Sequence, residues 1–269
     1  MKTGLKFPLV SAVLCLVSVT AQSQLLHTES FSVIIDTSKT IKGNLSPYFR
    51  YRNVKRDFIE IENVADMSFL LGQNAFTVAN KLEFARFGTE NILSGGFVYL
   101  EYQHLDSSRK IAIEPYAYRL WQEIRGLREK YATGINFRGA LVNQPNIGLF
   151  VGVGGFYEWE EWNYAGVNDA KLIPTNPRTI YVSGARGSAY LSLVQTIGKS
   201  INLDFSFYYQ PGITSDLSQY RLGLNTRIIY QITKYIGFQM RYRGVYDSAP
   251  IVPVSDFFHD YSMGVNFSF

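Results

Sequence analysis

The 269-residue sequence predicts an all-β fold: a transmembrane up-and-down antiparallel β-barrel of about 12 strands, within a range of 10–14. Three observations predict it. Apolar and polar residues alternate with period two through one run after another. Turn signals separate these runs with short and long connectors in turn. No apolar stretch after residue 21 approaches the roughly 18–20 residues that a spanning helix needs. Lipid cannot satisfy open backbone groups, so a chain that crosses a bilayer without helices must close its sheet. Composition agrees, because 46% hydrophobic residues exclude a disordered tail, while 22 Gly, 19 Tyr and 19 Phe exclude a coiled coil.

The chain divides into three parts. Residues 1–21 read as a secretory signal peptide, with basic Lys2 and Lys6, an apolar stretch from Phe7 to Val19 and the small-residue boundary Val19-Thr20-Ala21. Cys15 follows the bulky Leu14, which disfavours lipid attachment, and cleavage removes this single cysteine. Disulfides and thiolate metal sites are then excluded from the mature chain. Loss of Lys2 and Lys6 lowers the formal charge from +4 to +2, and with export this excludes a nucleic-acid partner. Residues 22–40 form a periplasmic N-terminal extension or an extra strand, since Phe31, Val33 and Ile35 alternate within Glu29–Asp36. Residues 41–269 form the barrel.

The barrel opens with a span from Ile41 to Arg52. Short connectors follow at 71–74, 105–110, 142–146, 197–200 and 232–234; longer ones lie at 52–57, 86–92, 123–128, 162–177, 211–219 and 247–256. Tyr131, Ile135, Phe137 and Leu141 oppose Lys130, Asn136, Arg138 and Ala140. Ile147, Leu149, Val151 and Val153 then oppose glycines, and Ile201, Leu203, Phe205, Phe207 and Tyr209 alternate with polar residues. Leu222, Leu224, Ile228 and Tyr230 share one face, as do Ile236, Phe238, Met240 and Tyr242. The last run is the cleanest: Tyr261, Met263, Val265, Phe267 and Phe269 alternate with Ser262, Gly264, Asn266 and Ser268. Each run fits the roughly 10-residue alternating segment of a transmembrane strand.

Assigning the apolar face to lipid leaves a charged lumen. Its candidate charges are Glu60, Glu62, Glu114, Arg138, Asp204, Arg221, Arg227, Arg241 and Arg243, joined by Arg50, Arg52, Asp66, Lys81, Glu83, Glu101, Glu158 and Glu160. Acids and bases nearly balance, which predicts ion-paired filling rather than a charge-selective ring. Twelve strands lie between the filled eight-stranded barrel and the open sixteen-stranded porin, and leave at most a narrow passage. Trp121, Tyr131, Trp159, Tyr209, Tyr246 and Tyr261 face outward near the strand ends, as an aromatic girdle does. Arg119 breaks the lipid face close to an end, where it can snorkel.

The run Tyr261–Phe269, with its terminal aromatic, resembles the carboxy-terminal signature by which bacterial outer-membrane barrels are recognised by their assembly machinery. Further segments carry a second resemblance. Asn91–Gln103, Glu114–Arg128, Ala132–Arg138, Tyr208–Pro211, Asp216–Arg221 and Tyr246–Pro250 together resemble the salt-induced outer-membrane protein family, a domain of unknown function. The amino-terminal hairpin is shorter here than in that pattern. The resemblance implies an outer-membrane barrel and supplies no catalytic residues.

Catalytic chemistry finds little support. His27, His104 and His259 lack a serine two residues downstream, the spacing expected of outer-membrane lipid hydrolases. His259 beside Asp260 reads as a solvated loop pair. Glu158, Glu160, Glu161 and Asp169 lack the spacing of a calcium loop. The expected function is therefore a non-catalytic, monomeric outer-membrane barrel without cofactor, serving envelope structure or stress adaptation; a narrow small-solute pore and a lipid-modifying enzyme are the alternatives. Its partners are membrane lipid, lipopolysaccharide and the barrel-assembly machinery. Two basic clusters, Arg52, Lys55 and Arg56 in one outer loop and Arg125, Arg128 and Lys130 in or beside another, are expected to meet glycolipid phosphates.

Overall fold

Alternation carries through to the architecture in a computed structural model, which describes residues 40–53, 56–213 and 218–268. Twelve strands follow one another: β1 Ile41–Asn53, β2 Asp57–Leu71, β3 Asn74–Phe87, β4 Glu90–Leu105, β5 Ile111–Gln122 and β6 Leu127–Gln144. The second half comprises β7 Ile147–Trp162, β8 Ile180–Ile197, β9 Ile201–Pro211, β10 Tyr220–Gln231, β11 Ile236–Asp247 and β12 Phe257–Ser268. Each strand pairs antiparallel with its neighbours in sequence, and β1 meets β12 to close the barrel. The signal peptide, the extended run Glu29–Asp36, Lys55 and Phe269 lie outside the described residues.

Period two sends one residue set outward and its complement inward. Phe49, Val153, Tyr261 and Met263 stand on the exterior, with Val153 61% and Met263 67% exposed. Polar side chains fill the other face, among them the buried Asp66, Lys81, Glu114, Arg221 and Arg227. A water-soluble barrel would show the reverse arrangement, and so large an apolar exterior belongs against lipid. Part of the interior is apolar as well. Phe97, Tyr99, Tyr116, Tyr118, Leu120, Leu127 and Phe156 pack together on the β4–β7 side of the lumen. This core reaches Val167 and Val252, so the loops 163–179 and 248–256 fold inward over the barrel mouth.

Three expected long connectors are corrected. Between strands, 54–56 and 123–126 leave three and four residues, fewer than the five of 106–110, an expected short connector. Residues 86–92 form no long loop, because β3 and β4 join through Gly88 and Thr89 alone. Gly88 adopts φ +62°, a conformation that glycine alone takes at little cost, and the tight hairpin lets Glu90–Ile92 continue the sheet. A register shift between Ala85 and Arg86 absorbs the mismatch.

Closure is uneven around the barrel. The β7–β8 register runs without interruption from Ile147↔Gln195 to Trp162↔Ile180. Among the described residues the β1–β12 register contains two pairs, Asn44↔Ser268 and Leu45↔Phe267. Side chains reinforce this short base, where Ser268 Oγ donates to Asn44 Oδ1 at 3.1 Å and Asn266 Nδ2 donates to Ser46 Oγ at 3.2 Å. The next residue in β1 is Pro47, which has no N–H with which to extend the ladder.

Candidate functional site

The lumen holds most of the polar chemistry, in layers built from different strands. Nearest the long loops, Lys130 of β6 donates to Glu158 at 2.6 Å and to Glu160 at 2.7 Å, both on β7. Arg221 of β10 reaches the same carboxylates at 2.9 and 3.0 Å, and its Nε donates to Asp247 of β11 at 2.8 Å. Arg186 of β8 and the Trp162 indole complete the shell around Glu158 and Glu160. Three cations thus face three carboxylates with no net charge. Removing any one would leave an uncompensated charge in a low-dielectric interior.

A second layer lies deeper. Arg138 pairs with Glu114 at 3.0 Å, and the Tyr190 hydroxyl donates to the same carboxylate from β8 at 2.5 Å. Glu101 accepts from the Tyr99 hydroxyl and from Gln103. A third layer centres on Arg227, which joins Asp204 beside it at 2.7 Å to Asp66 across the lumen at 3.2 Å. Asn44 Nδ2 also donates to Asp66, at 3.0 Å. Lys81 gathers Glu62, Glu83 and Asp260, and Arg243 shares Asp260 at 3.5 Å. Arg50 pairs with Glu60 at 3.1 Å at the seam, where both remain partly solvated.

The candidate lumen charges Glu60, Glu62, Glu114, Arg138, Asp204, Arg221, Arg227, Arg241 and Arg243 all occupy the inward parity of their strands. Arg186 and Asp247, missed from sequence, belong to the same network. Arg186 sits in the small-residue stretch Ser183–Ser188, where alternation is too weak to assign a face; Asp247 ends its strand beside a loop.

The outer basic clusters require a correction. Lys130 is 1% exposed and points into the lumen, on the same parity as Arg138, so it faces Glu158 and Glu160 instead of glycolipid. Arg125 is 9% exposed, lies over the Phe258 ring at 4.6 Å and donates to the Ser255 carbonyl. Burial, with Arg243 nearby, pulls the Arg125 guanidinium down to about 10. Arg128 is exposed and paired with Glu161 at 2.7 Å; Arg56 lies 3.7 Å from Glu90, and Arg52 is exposed. Arg119 stays on the outer face, paired with Glu129 at 2.8 Å and set over Trp121.

Parity also separates the residues weighed for catalysis or metal binding. Asp260 turns inward to Lys81, whereas His259 turns outward between the Phe257 and Tyr261 rings. Glu161 faces away from Glu158 and Glu160. His104 lies at an exposed strand end against Asn74 at 3.0 Å. In the assembly signature, Tyr261, Met263, Val265 and Phe267 all present exposed side chains on the outer face of β12.

No protein-family model and no curated protein matches the chain. Solved structures similar to it include the NanC porin, 12% identical, covering 84% of this chain and 98% of that one with a TM-score of 0.47. The translocator domain of autotransporter NalP from Neisseria meningitidis is also 12% identical, covering 85% and 86% with a TM-score of 0.43. The outer membrane protease OmpT from Escherichia coli is 13% identical, covering 85% and 90% with a TM-score of 0.30.

Proposed function

We propose that this chain is an exported, monomeric outer-membrane barrel whose lumen is closed, and that it serves envelope structure or stress adaptation without catalysis. One observation carries the reading: ion-paired side chains of opposite sign bridge the lumen at three levels, through Arg221 with Glu158, Arg138 with Glu114 and Arg227 with Asp66 and Asp204. A charge-selective pore uses a ring of one sign facing water, and among the described residues this filling pairs both signs instead. The apolar exterior supports membrane insertion, and the sequence of residues 1–21 supports export. The segments Asn91–Gln103 and Glu114–Arg128 support membership of the salt-induced outer-membrane family. The outward residues of Tyr261–Phe267, with Phe269 after them, supply what the assembly machinery would read. Arg52, Arg56 and Arg128 remain available to lipopolysaccharide phosphates.

Planar-bilayer recording of the purified barrel at neutral pH tests the reading. Absence of step currents is expected, whereas reproducible unitary steps would replace it with the narrow pore.

A further inference from the structure

Above its two-pair base, the β1–β12 seam opens into a cavity of about 200 Å³. Its lining is split by parity. Pro47, Tyr261, Met263 and Val265 form a membrane-side lip, while Arg50, Glu60, Glu62, Gln239 and Arg241 form a lumen-side wall. Gln239 is 5% exposed, and its Oε1 has no hydrogen-bond partner. Gly264 faces the lumen here, and a Cβ added to it would meet nothing within 4 Å. A strand edge that leaves its ladder inside an apolar band is costly unless something polar reaches it, because lipid tails offer neither donors nor acceptors.

We propose that this seam is a lateral binding slot for a zwitterionic glycerophospholipid, its headgroup inside the wall and its acyl chains along the outer lip. The proposal rests on the membrane-barrel reading above. Both signs of charge meet in the cavity: a phosphate suits Arg50 and Arg241, and an ammonium suits Glu60 and Glu62. The solvated Arg50–Glu60 pair can exchange its internal partners for the two ends of a zwitterion at little loss. Gln239 Oε1 supplies an acceptor for an ammonium or hydroxyl donor. An anionic headgroup would leave the carboxylates opposed, and an uncharged apolar molecule would leave the whole wall unused.

Native mass spectrometry of the full-length barrel tests this after extraction from vesicles of equal phosphatidylethanolamine and phosphatidylglycerol with identical chains. One phosphatidylethanolamine should be retained per barrel, about ten-fold over phosphatidylglycerol. Gly264→Trp, which fills open space, should lower that retention about ten-fold while heat-modifiable migration stays normal. Arg50→Gln, at a partly solvated position, provides a second variant that spares the fold and should also weaken retention. Equal retention of the two lipids, no retained lipid, or retention unchanged by Gly264→Trp would overturn the slot; occupation by residues 22–39 of the chain itself would register as no retained lipid. A barrel that fails to float with vesicles would instead overturn the membrane reading and the slot together.

Discussion

The wall from β6 to β10 and the seam between β12 and β1 use the same alternating code to opposite ends. In the wall, long registers, unbroken across β7–β8, hold Glu158, Glu160 and Arg221 in fixed positions, and Lys130, Arg186 and Arg221 face Glu158, Glu160 and Asp247 of the adjoining β11 three against three. In the seam, two register pairs give way to a cavity where Arg50, Glu60 and Glu62 stay partly solvated. Close pairing of opposite charges matters most where backbone pairing excludes water and lipid. Where pairing stops, the same residue types become available to something other than the barrel.

The largest expected effect comes from breaking the wall. Arg221→Ala removes the cation facing Asp247, leaves Lys130 and Arg186 against three carboxylates, and should destabilise the folded barrel by about 3–5 kcal/mol. Arg50→Ala at the seam should cost only about 0–1 kcal/mol, because its ion pair is solvated. Urea unfolding in vesicles, read by Trp fluorescence, compares the two; equal losses would erase the distinction. Next in size is the exterior of the wall, where Val153→Arg places a charge in mid-strand against lipid and should cost about 2–4 kcal/mol in the same assay.

Glycines sharpen the contrast further. A Cβ at Gly154 in the wall would collide with the Ile135 carbonyl oxygen, so Gly154→Ala should destabilise by about 1–3 kcal/mol. Gly264→Ala at the seam meets no atom and should stabilise by about 0.4–1 kcal/mol through the unfolded state. The smallest effect lies in the turn between β4 and β5. Hydrogen bonds from the Ile111 backbone and the Ser108 side chain hold the Asp106 carboxyl down at about 2. Its stabilisation is present above the ordinary aspartate range and is lost as pH falls toward 2. Asp106→Asn should flatten stability across that acid window, and an unaltered acid limb would contradict the assignment.

Much of this was legible because period two is a local property. Leu222 to Tyr230 and Ile236 to Tyr242 declare their faces without knowledge of their partners, and Arg227 and Arg241 follow inward by parity. Lys130 was legible too, on the parity of Arg138; its neighbours in the basic cluster suggested the surface, and the strand geometry prevailed. The remainder depends on three-dimensional closure. Val167 and Val252 lie in loops that no alternation describes, yet they pack on the lumen core. The length of the β1–β12 register depends on how the twelfth strand meets the first, which no single run encodes; only Pro47 and Gly264 hint at it.

Paired cysteines test the contrast between seam and wall most directly, since residues 22–269 contain no native cysteine. Met263 is the shared reporter: it pairs with Met240 across β11–β12 and lies on the seam side of β1 above the two-pair base. Met240→Cys with Met263→Cys should oxidise to a disulfide, because paired strands bring Cα atoms within bonding reach. Phe49→Cys with Met263→Cys should remain reduced under the same mild oxidant. Equally rapid disulfide formation in both pairs would mean that the seam is closed and that the two regions do not differ.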